Sequence, residues 1–261
     1  MNPEPSNTVK AGMRKTLLTL AALVAIPVAF LAAAETEHVT RTARLAPDGT
    51  LKLKNFSGRV TITGSDRRDA SIDAVRRGSR DRLDHVKLDI HEEGSTLVVD
   101  ANKKDRTWFS WHSSDVVETD FDIAVPRRTN LEIDVFSSPV SIEGVEGSQR
   151  VHAFSSRVRL DNVSGPVTAH SFSGPIEITE RTWKPNQTIT VDTFSGNIRV
   201  RLPDSARGAV TFDSFSGRLN SALPLTLHSS SRRSLRADLG GDGAGGSLRF
   251  KTFSGSVDIS R

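Results

Sequence analysis

Thr193-Phe194-Ser195-Gly196-Asn197-Ile198 is one copy of a phrase that returns along the whole chain. Each copy reads Phe-Ser followed by Gly or Ser, with Val, Ile or Leu four residues after the Phe. From the second copy onward the steps are 18, 18, 22, 21 and 38 residues, and the last step is long enough to hold a degenerate copy. A repeat this short cannot bury its own apolar face, so the copies are predicted to stack into an array. The seven phrase aromatics are Phe56, Phe136, Phe154, Phe172, Phe194, Phe215 and Phe253.

The alternation of residues around the phrase predicts two strands per repeat. Ile189, Val191 and Thr193 share one side of a strand. The next inward residue is Ile198, an odd number of residues after Thr193, and an odd step reverses the side on which side chains point. The backbone must therefore bend or bulge at Ser-Gly. We therefore predict an all-β fold, a parallel, right-handed β-solenoid with two-strand rungs of roughly 18–22 residues. The phrase Phe residues are expected to fill the core and stack at one corner. The glycines expected to supply the unusual backbone angles of that corner are Gly58, Gly174, Gly196, Gly217 and Gly255.

The N-terminus carries a secretory signal pattern. Lys10, Arg14 and Lys15 precede an apolar run that ends in Ala32-Ala33-Ala34, and cleavage is expected after Ala34. An uncleaved anchor is the alternative, but the run is short for a spanning helix and contains a proline. The predicted organisation is a signal peptide over residues 1–34 and one solenoid domain over 35–261. Within that domain, 35–130 holds less regular rungs and 131–261 the regular Phe-Ser-Gly repeats.

Composition narrows the function classes. The chain has no cysteine, which excludes disulfides and thiolate metal sites. Removing residues 1–34 leaves 32 Lys and Arg against 30 Asp and Glu, a net charge of +2. We therefore expect no nucleic-acid partner and, after cleavage of the signal, no integral membrane span.

The signal pattern, the early unit from Asn55 to Ile62 and the tandem Phe-Ser-Gly-x-Val/Ile units together resemble the bacterial putative-adhesin family of β-strand-repeat proteins, a domain family of unknown function. The likeness covers nearly all of the mature chain. It implies a β-solenoid exported to the cell envelope or surface, with adhesion as an inferred role. The shared residues are those that build rungs, so the resemblance carries over no catalytic residue.

One candidate site lies two residues before each phrase Phe. If the rungs stack in register, imidazoles and carboxylates fall on adjacent strands, where they could bind a metal or perform acid-base chemistry. The alternative is a solvated face on which alternating charges avoid like-charge stacking. This polar ladder consists of Asp134, His152, His170 and Asp192.

Two further sets are candidates for ligand binding. A basic stripe on the second strand of the rungs could hold anionic glycans, and consists of Arg157, Arg159, Arg199 and Arg218. A polar loop holds the aromatics Trp108, Phe109 and Trp111, which either contact a ligand or fold back onto the solenoid.

The sequence favours an exported, non-enzymatic interaction module of the periplasm or cell surface, without cofactor or metal. Its expected partners are anionic envelope glycans or another surface protein. One alternative is a polysaccharide hydrolase or lyase of the β-helix type, which would use the polar ladder. The other is a scaffold that self-associates end to end, because the last strand, 256–260, has no capping element after it.

Overall fold

A computed structural model describes residues 34–104, 116–241 and 245–261. Within them the chain forms strands and one short helix, α1 (Arg80–His85). The strands are β1 (Glu35–Arg44), β2 (Thr50–Ser57), β3 (Val60–Ser65), β4 (Asp69–Gly78), β5 (Val86–Glu93), β6 (Thr96–Lys104), β7 (Glu118–Pro126), β8 (Asn130–Ser137), β9 (Val140–Glu143), β10 (Gln149–Ser155), β11 (Val158–Val163), β12 (Val167–Ser173), β13 (Ile176–Glu180), β14 (Thr188–Ser195), β15 (Ile198–Arg201), β16 (Gly208–Ser214), β17 (Leu219–Ser221), β18 (Leu225–Ser230), β19 (Ser234–Leu239), β20 (Gly246–Thr252) and β21 (Val257–Ser260).

The strands build two large sheets, one of ten strands and one of eleven, in an all-β, solenoid-like fold. Each phrase joins a strand of the eleven-stranded sheet to a strand of the ten-stranded sheet, and the pair forms one rung. Neighbouring rungs pair in parallel, as where Val151 lies opposite Ala169 and Val158 opposite Ile176. Equivalent positions of successive rungs therefore form columns that run across both sheets.

The rungs do not stack in the order of the sequence. In the eleven-stranded sheet the rung strands lie in the order β6-β2-β8-β10-β12-β14-β20-β16, so β20 is inserted between β14 and β16. The 38-residue step before Phe253 therefore holds the strands β18 and β19, which pair antiparallel at one end of the sheet, and not a degenerate phrase.

The prediction that the last strand is an open edge is wrong. β21 pairs with β15 on one side and with β17 on the other, so it lies inside the ten-stranded sheet. At the opposite end of the stack, β4 and β5 pair antiparallel with β7 and β6. The sequence feature that suggested end-to-end assembly is thus an interior strand.

The core lies between the two sheets and follows the predicted alternation. Ile189, Val191 and Thr193 are buried, and after the bend the buried set resumes at Ile198 and Val200. The same pattern in most rungs stacks apolar side chains into columns, which is how a narrow repeat obtains a continuous core. Among the described residues, no helix has the length and apolar character needed to cross a membrane.

The phrase glycines serve two different needs. Gly58 and Gly174 adopt φ of +105° and +131°, as a corner with unusual backbone angles requires. The second need applies to all three of Gly58, Gly174 and Gly196: a Cβ on Gly196, for example, would lie 2.1 Å from the carbonyl oxygen of Gly174 in the neighbouring rung. Close stacking of backbones, and not only backbone conformation, therefore selects glycine at this corner.

Candidate interaction surface

The phrase Phe residues form a continuous stack along the outer surface of the eleven-stranded sheet. Neighbouring ring centroids are 4.6–5.0 Å apart and the ring planes differ by 0–10°. Phe253 lies between Phe194 and Phe215, because its rung is inserted there. We call this stack the Phe ladder; its order is Phe56, Phe136, Phe154, Phe172, Phe194, Phe253, Phe215.

The expectation that these aromatics fill the core is wrong, although the expected stacking is present. The seven side chains are 41–52% exposed. Each Phe follows a buried residue directly, as Phe194 follows Thr193, so it must point to the outer face of the strand. The sequence contained this signal, because residues two positions before each Phe were already predicted to face outward.

The geometry of the ladder determines what it can contact. Stacked rings cover one another's faces, so the surface left open consists of ring edges, which carry the positive end of the aromatic quadrupole. At one end the outer face of Phe215 is covered by Arg233, whose Cζ lies 4.4 Å from the ring centroid. The ladder therefore offers an apolar ridge of edges, with few faces free for stacking against a sugar ring.

A column of charged and polar residues runs beside the ladder, two positions before it on each strand. The predicted polar ladder forms its centre: His152 lies opposite Asp134 on one side and His170 on the other, and His170 lies opposite Asp192. The column continues beyond these four in both directions. In spatial order it reads Asp100, Lys54, Asp134, His152, His170, Asp192, Lys251, Asp213.

The two histidines contact each other, and His170 also contacts a carboxylate. Their ring centroids are 5.0 Å apart, and Nδ1 of His170 lies 3.3 Å from Oδ2 of Asp192. In the described parts of the chain, no group of three His, Asp or Glu side chains is placed to hold a metal ion. The arrangement suits ion pairing along a surface column.

The carboxylates of the column are widely spaced. Asp134 and Asp192 are separated by three strand spacings, about 14 Å at ~4.8 Å each. Paired carboxylates in glycoside hydrolases stand about 5–5.5 Å or 6.5–9.5 Å apart. Asp134 and Asp192 are therefore too far apart to act together on one glycosidic bond.

The Phe ladder and the polar column enclose a shallow, elongated groove of about 1150 Å³. Asp100 and Asn102 lie at one end of the groove and Arg233 and Ser234 at the other. Asn102, Asp100 and Arg233 come from outside the phrases, and sequence reasoning did not identify them. The strand pairing that brings them here joins residues far apart in the chain, which no local pattern reveals.

The predicted basic stripe lies on the other sheet. Arg159 and Arg199 occupy one column of its outer face with Glu177 between them. Their guanidinium groups lie 3.0 Å from Asp161 and 3.1 Å from Glu177, respectively. Arg157 and Arg218 lie in the turns before β11 and β17, in different rungs. The stripe thus alternates with acidic groups. Trp108, Phe109 and Trp111 lie outside the described residues.

One buried carboxyl stands apart from both surfaces. Glu180 is 3% exposed at the end of β13, and its Oε1 accepts a hydrogen bond of 3.0 Å from Nε2 of Gln187. Burial raises the pKa of Glu180 to about 8. The side chain is therefore largely protonated at neutral pH, and it belongs to the core and not to the groove.

Comparisons with known proteins agree with this architecture. A family model described as Toastrack DUF4097 matches residues 128–260. A solved structure of a putative cell adhesion protein from Clostridium sporogenes has 10% identity and a TM-score of 0.54, and the match covers 87% of this chain and 99% of that one. At this identity the likeness shows the fold alone.

A putative adhesin from Bacteroides fragilis matches with 12% identity over 85% of this chain and 97% of its own, with a TM-score of 0.32. The comparison with curated proteins finds no match.

Proposed function

We propose, from the premise that this chain belongs to the Toastrack DUF4097 family, that it is an exported, non-enzymatic interaction module of the cell envelope or surface. The membership confirms the resemblance to the putative-adhesin family inferred from the repeats. The observation that carries the proposal is the Phe ladder: seven half-exposed rings in one unbroken row. Such an apolar row on the surface of a soluble domain marks a contact site.

The size of the ladder supports this assignment. About 45% exposure of a side chain of roughly 200 Å² leaves about 90 Å² per ring, and about 600 Å² for seven rings. That value reaches the upper end of the largest apolar patch on a typical monomer, about 300–600 Å². The ladder is also more continuous than the Arg stripe, whose charges alternate with carboxylates. We therefore place the contact on the outer face of the eleven-stranded sheet.

The non-enzymatic part of the proposal is supported by the spacing of the column carboxylates and by the open groove. General acid-base catalysis needs groups that converge on one reacting atom. The column instead repeats its side chains at the strand spacing along a surface. Export is supported by the signal pattern of residues 1–34. For the finer architecture we propose a right-handed coil with rungs of 18–22 residues, because parallel crossovers are normally right-handed.

A binding assay that compares variants on the outer faces of the two sheets tests the function. Purified protein is applied to immobilised peptidoglycan, lipopolysaccharide, acidic polysaccharide and the protein itself, across a salt series. We expect binding that persists at about 1 M salt, where charges are screened within ~3 Å. The double substitution Phe154→Ser and Phe172→Ser should abolish it, and the matched control Arg159→Ala and Arg199→Ala on the other sheet should not.

Far-UV circular dichroism verifies that each variant is folded. If the double variant does not fold, Phe56→Glu at the end of the ladder disturbs only one stack and serves in its place. Absence of binding to all four surfaces, or binding that depends on the arginines alone, overturns the proposal.

A further inference from the structure

We propose that the partner of this face is a second copy of the chain, joined antiparallel about a two-fold axis that passes through His170 and Phe172. The inference rests on the proposed function and names the partner of the same surface. It follows from the order of charges in the polar column, together with the length and even spacing of the Phe ladder.

The central residue of the ladder is Phe172, with three rings on either side of it. A two-fold axis that passes over His170 and Phe172, parallel to their strand and to the plane of the sheet, superimposes the ladder on its own reverse. Phe56 then faces Phe215 of the second copy, and Phe136 faces Phe253 of the second copy. Neighbouring rings are nearly parallel and 4.6–5.0 Å apart along the whole row, so each of the seven positions has a counterpart at the same spacing in the second copy.

The same axis makes the polar column complementary to itself. From Lys54 to Asp213 the column reads Lys, Asp, His, His, Asp, Lys, Asp, with His170 in the middle. Reversing it about His170 places Lys54 opposite Asp213 of the second copy. Asp134 comes opposite Lys251 of the second copy, and His152 opposite Asp192 of the second copy.

Every Lys in this arrangement meets an Asp, and each pair occurs twice because the interface is isologous. Moving the axis by half a rung, to lie between His152 and His170, would instead place Lys54 opposite Lys251 and Asp134 opposite Asp192. Like charges would then meet along the column, at a cost that disfavours this register. The arrangement that pairs all the rings is thus also one that pairs the charges.

The dimensions are suitable for a dimer. Sheets that pack face to face lie about 10 Å apart, a distance that a lysine and an aspartate side chain span together. The apolar ladder supplies about 600 Å² per copy, and the polar column adds to it. A stable interface of standard size buries about 800 Å² per partner. Because the second copy is reversed, Arg233 of one copy lies at the same position along the stack as Asp100 and Asn102 of the other.

A charge swap tests both the partner and the register. Lys54 and Asp213 lie six rungs apart in one chain, about 29 Å, and cannot compensate each other within a monomer. In sedimentation equilibrium we expect wild-type protein to dimerise at micromolar concentration. Asp213→Lys and Lys54→Asp should each raise the dissociation constant about tenfold or more, since two symmetric ion pairs become repulsive. The double variant restores the pairs with reversed sign and should recover dimerisation.

Cross-linking gives an independent measurement, because the chain has no cysteine of its own. His170→Cys lies on the axis, so a short bis-maleimide should join two copies through it. Lys54→Cys is the matched control: its two copies would lie roughly 30 Å apart and should not be joined.

A protein that stays monomeric at all concentrations overturns the inference, and so does a double variant as weak as the single variants. If the monomer still binds one of the polymers through the Phe ladder, the proposed function stands without this partner. If it binds nothing, both fail.

Discussion

Replacing Glu180 by Gln removes a carboxyl that is buried among core residues, where the cost of burial outweighs the favourable effects of Gln187 and Lys184 on its charged form. Its Oε1 accepts the hydrogen bond from Gln187, and its Oε2 has no hydrogen-bond partner among the described residues. A glutamine has nearly the same shape and can still accept the bond from Gln187. The substitution therefore isolates the effect of charge on the free energy of unfolding.

The magnitude follows from the pKa. Burial raises the pKa of Glu180 from 4.5 to about 8. At a pH between these values the folded protein holds a proton that the unfolded chain has released, so the free energy of unfolding falls as pH rises. The fall is about 1.4 kcal/mol per pH unit and totals up to about 5 kcal/mol. It is absent below about pH 4.5 and complete above about pH 8.

Urea unfolding of wild type and Glu180→Gln at pH 5, 6, 7, 8 and 9, followed by far-UV circular dichroism, measures this slope. Other titrating groups are common to both proteins and cancel in the difference. We expect the variant to gain stability relative to wild type steadily from pH 5 to 8. Glu177→Gln, on the same strand but partly exposed and paired with Arg199, is the control that should keep the wild-type slope. Parallel curves for wild type and Glu180→Gln would refute the reasoning.

Three further predictions concern stability and can be measured by chemical or thermal unfolding. Phe172→Ala removes two ring contacts, each worth about 0.5–1.5 kcal/mol, so it should cost about twice the stacking energy lost in Phe56→Ala at the ladder end; equal costs would contradict stacking as the cause. Gly196→Ala places a Cβ against the Gly174 carbonyl of the next rung and should cost ~1–3 kcal/mol, whereas no loss would mean that the rungs separate easily. Leu160→Ala in the fully buried column should cost ~2–5 kcal/mol, and a smaller loss would indicate that the core collapses into the cavity.

Part of the candidate surface was predictable from sequence. His152, His170 and their flanking aspartates were expected to lie in adjacent strands, because a fixed offset from each Phe keeps equivalent residues in one column. The prediction missed the exposure of Phe172 and its neighbours, although the parity that places His170 outside also places Phe172 outside. The ladder was interpreted as core because large aromatic residues are usually buried.

The remaining members of the surface had no local signal. Asp100 and Asn102 lie on β6, which carries no phrase, and they reach the groove only because β6 pairs with β2. Arg233 lies directly before β19, which pairs antiparallel with β16 at the other end of the eleven-stranded sheet. Such pairings join segments tens of residues apart, and their choice depends on which edges remain free once the rungs have formed.

The sequence by itself determined that the chain is built of two-strand repeats, which residues of each strand face inward, and where the backbone must bend. These properties follow from alternation and spacing within about 20 residues. Only the tertiary structure decided the order of the rungs: β20–β21 enters between β14–β15 and β16–β17, which places Phe253 between Phe194 and Phe215. The physical reason is that all phrase strands offer similar edges to a neighbour, so strand order is chosen by the burial and capping of the whole stack.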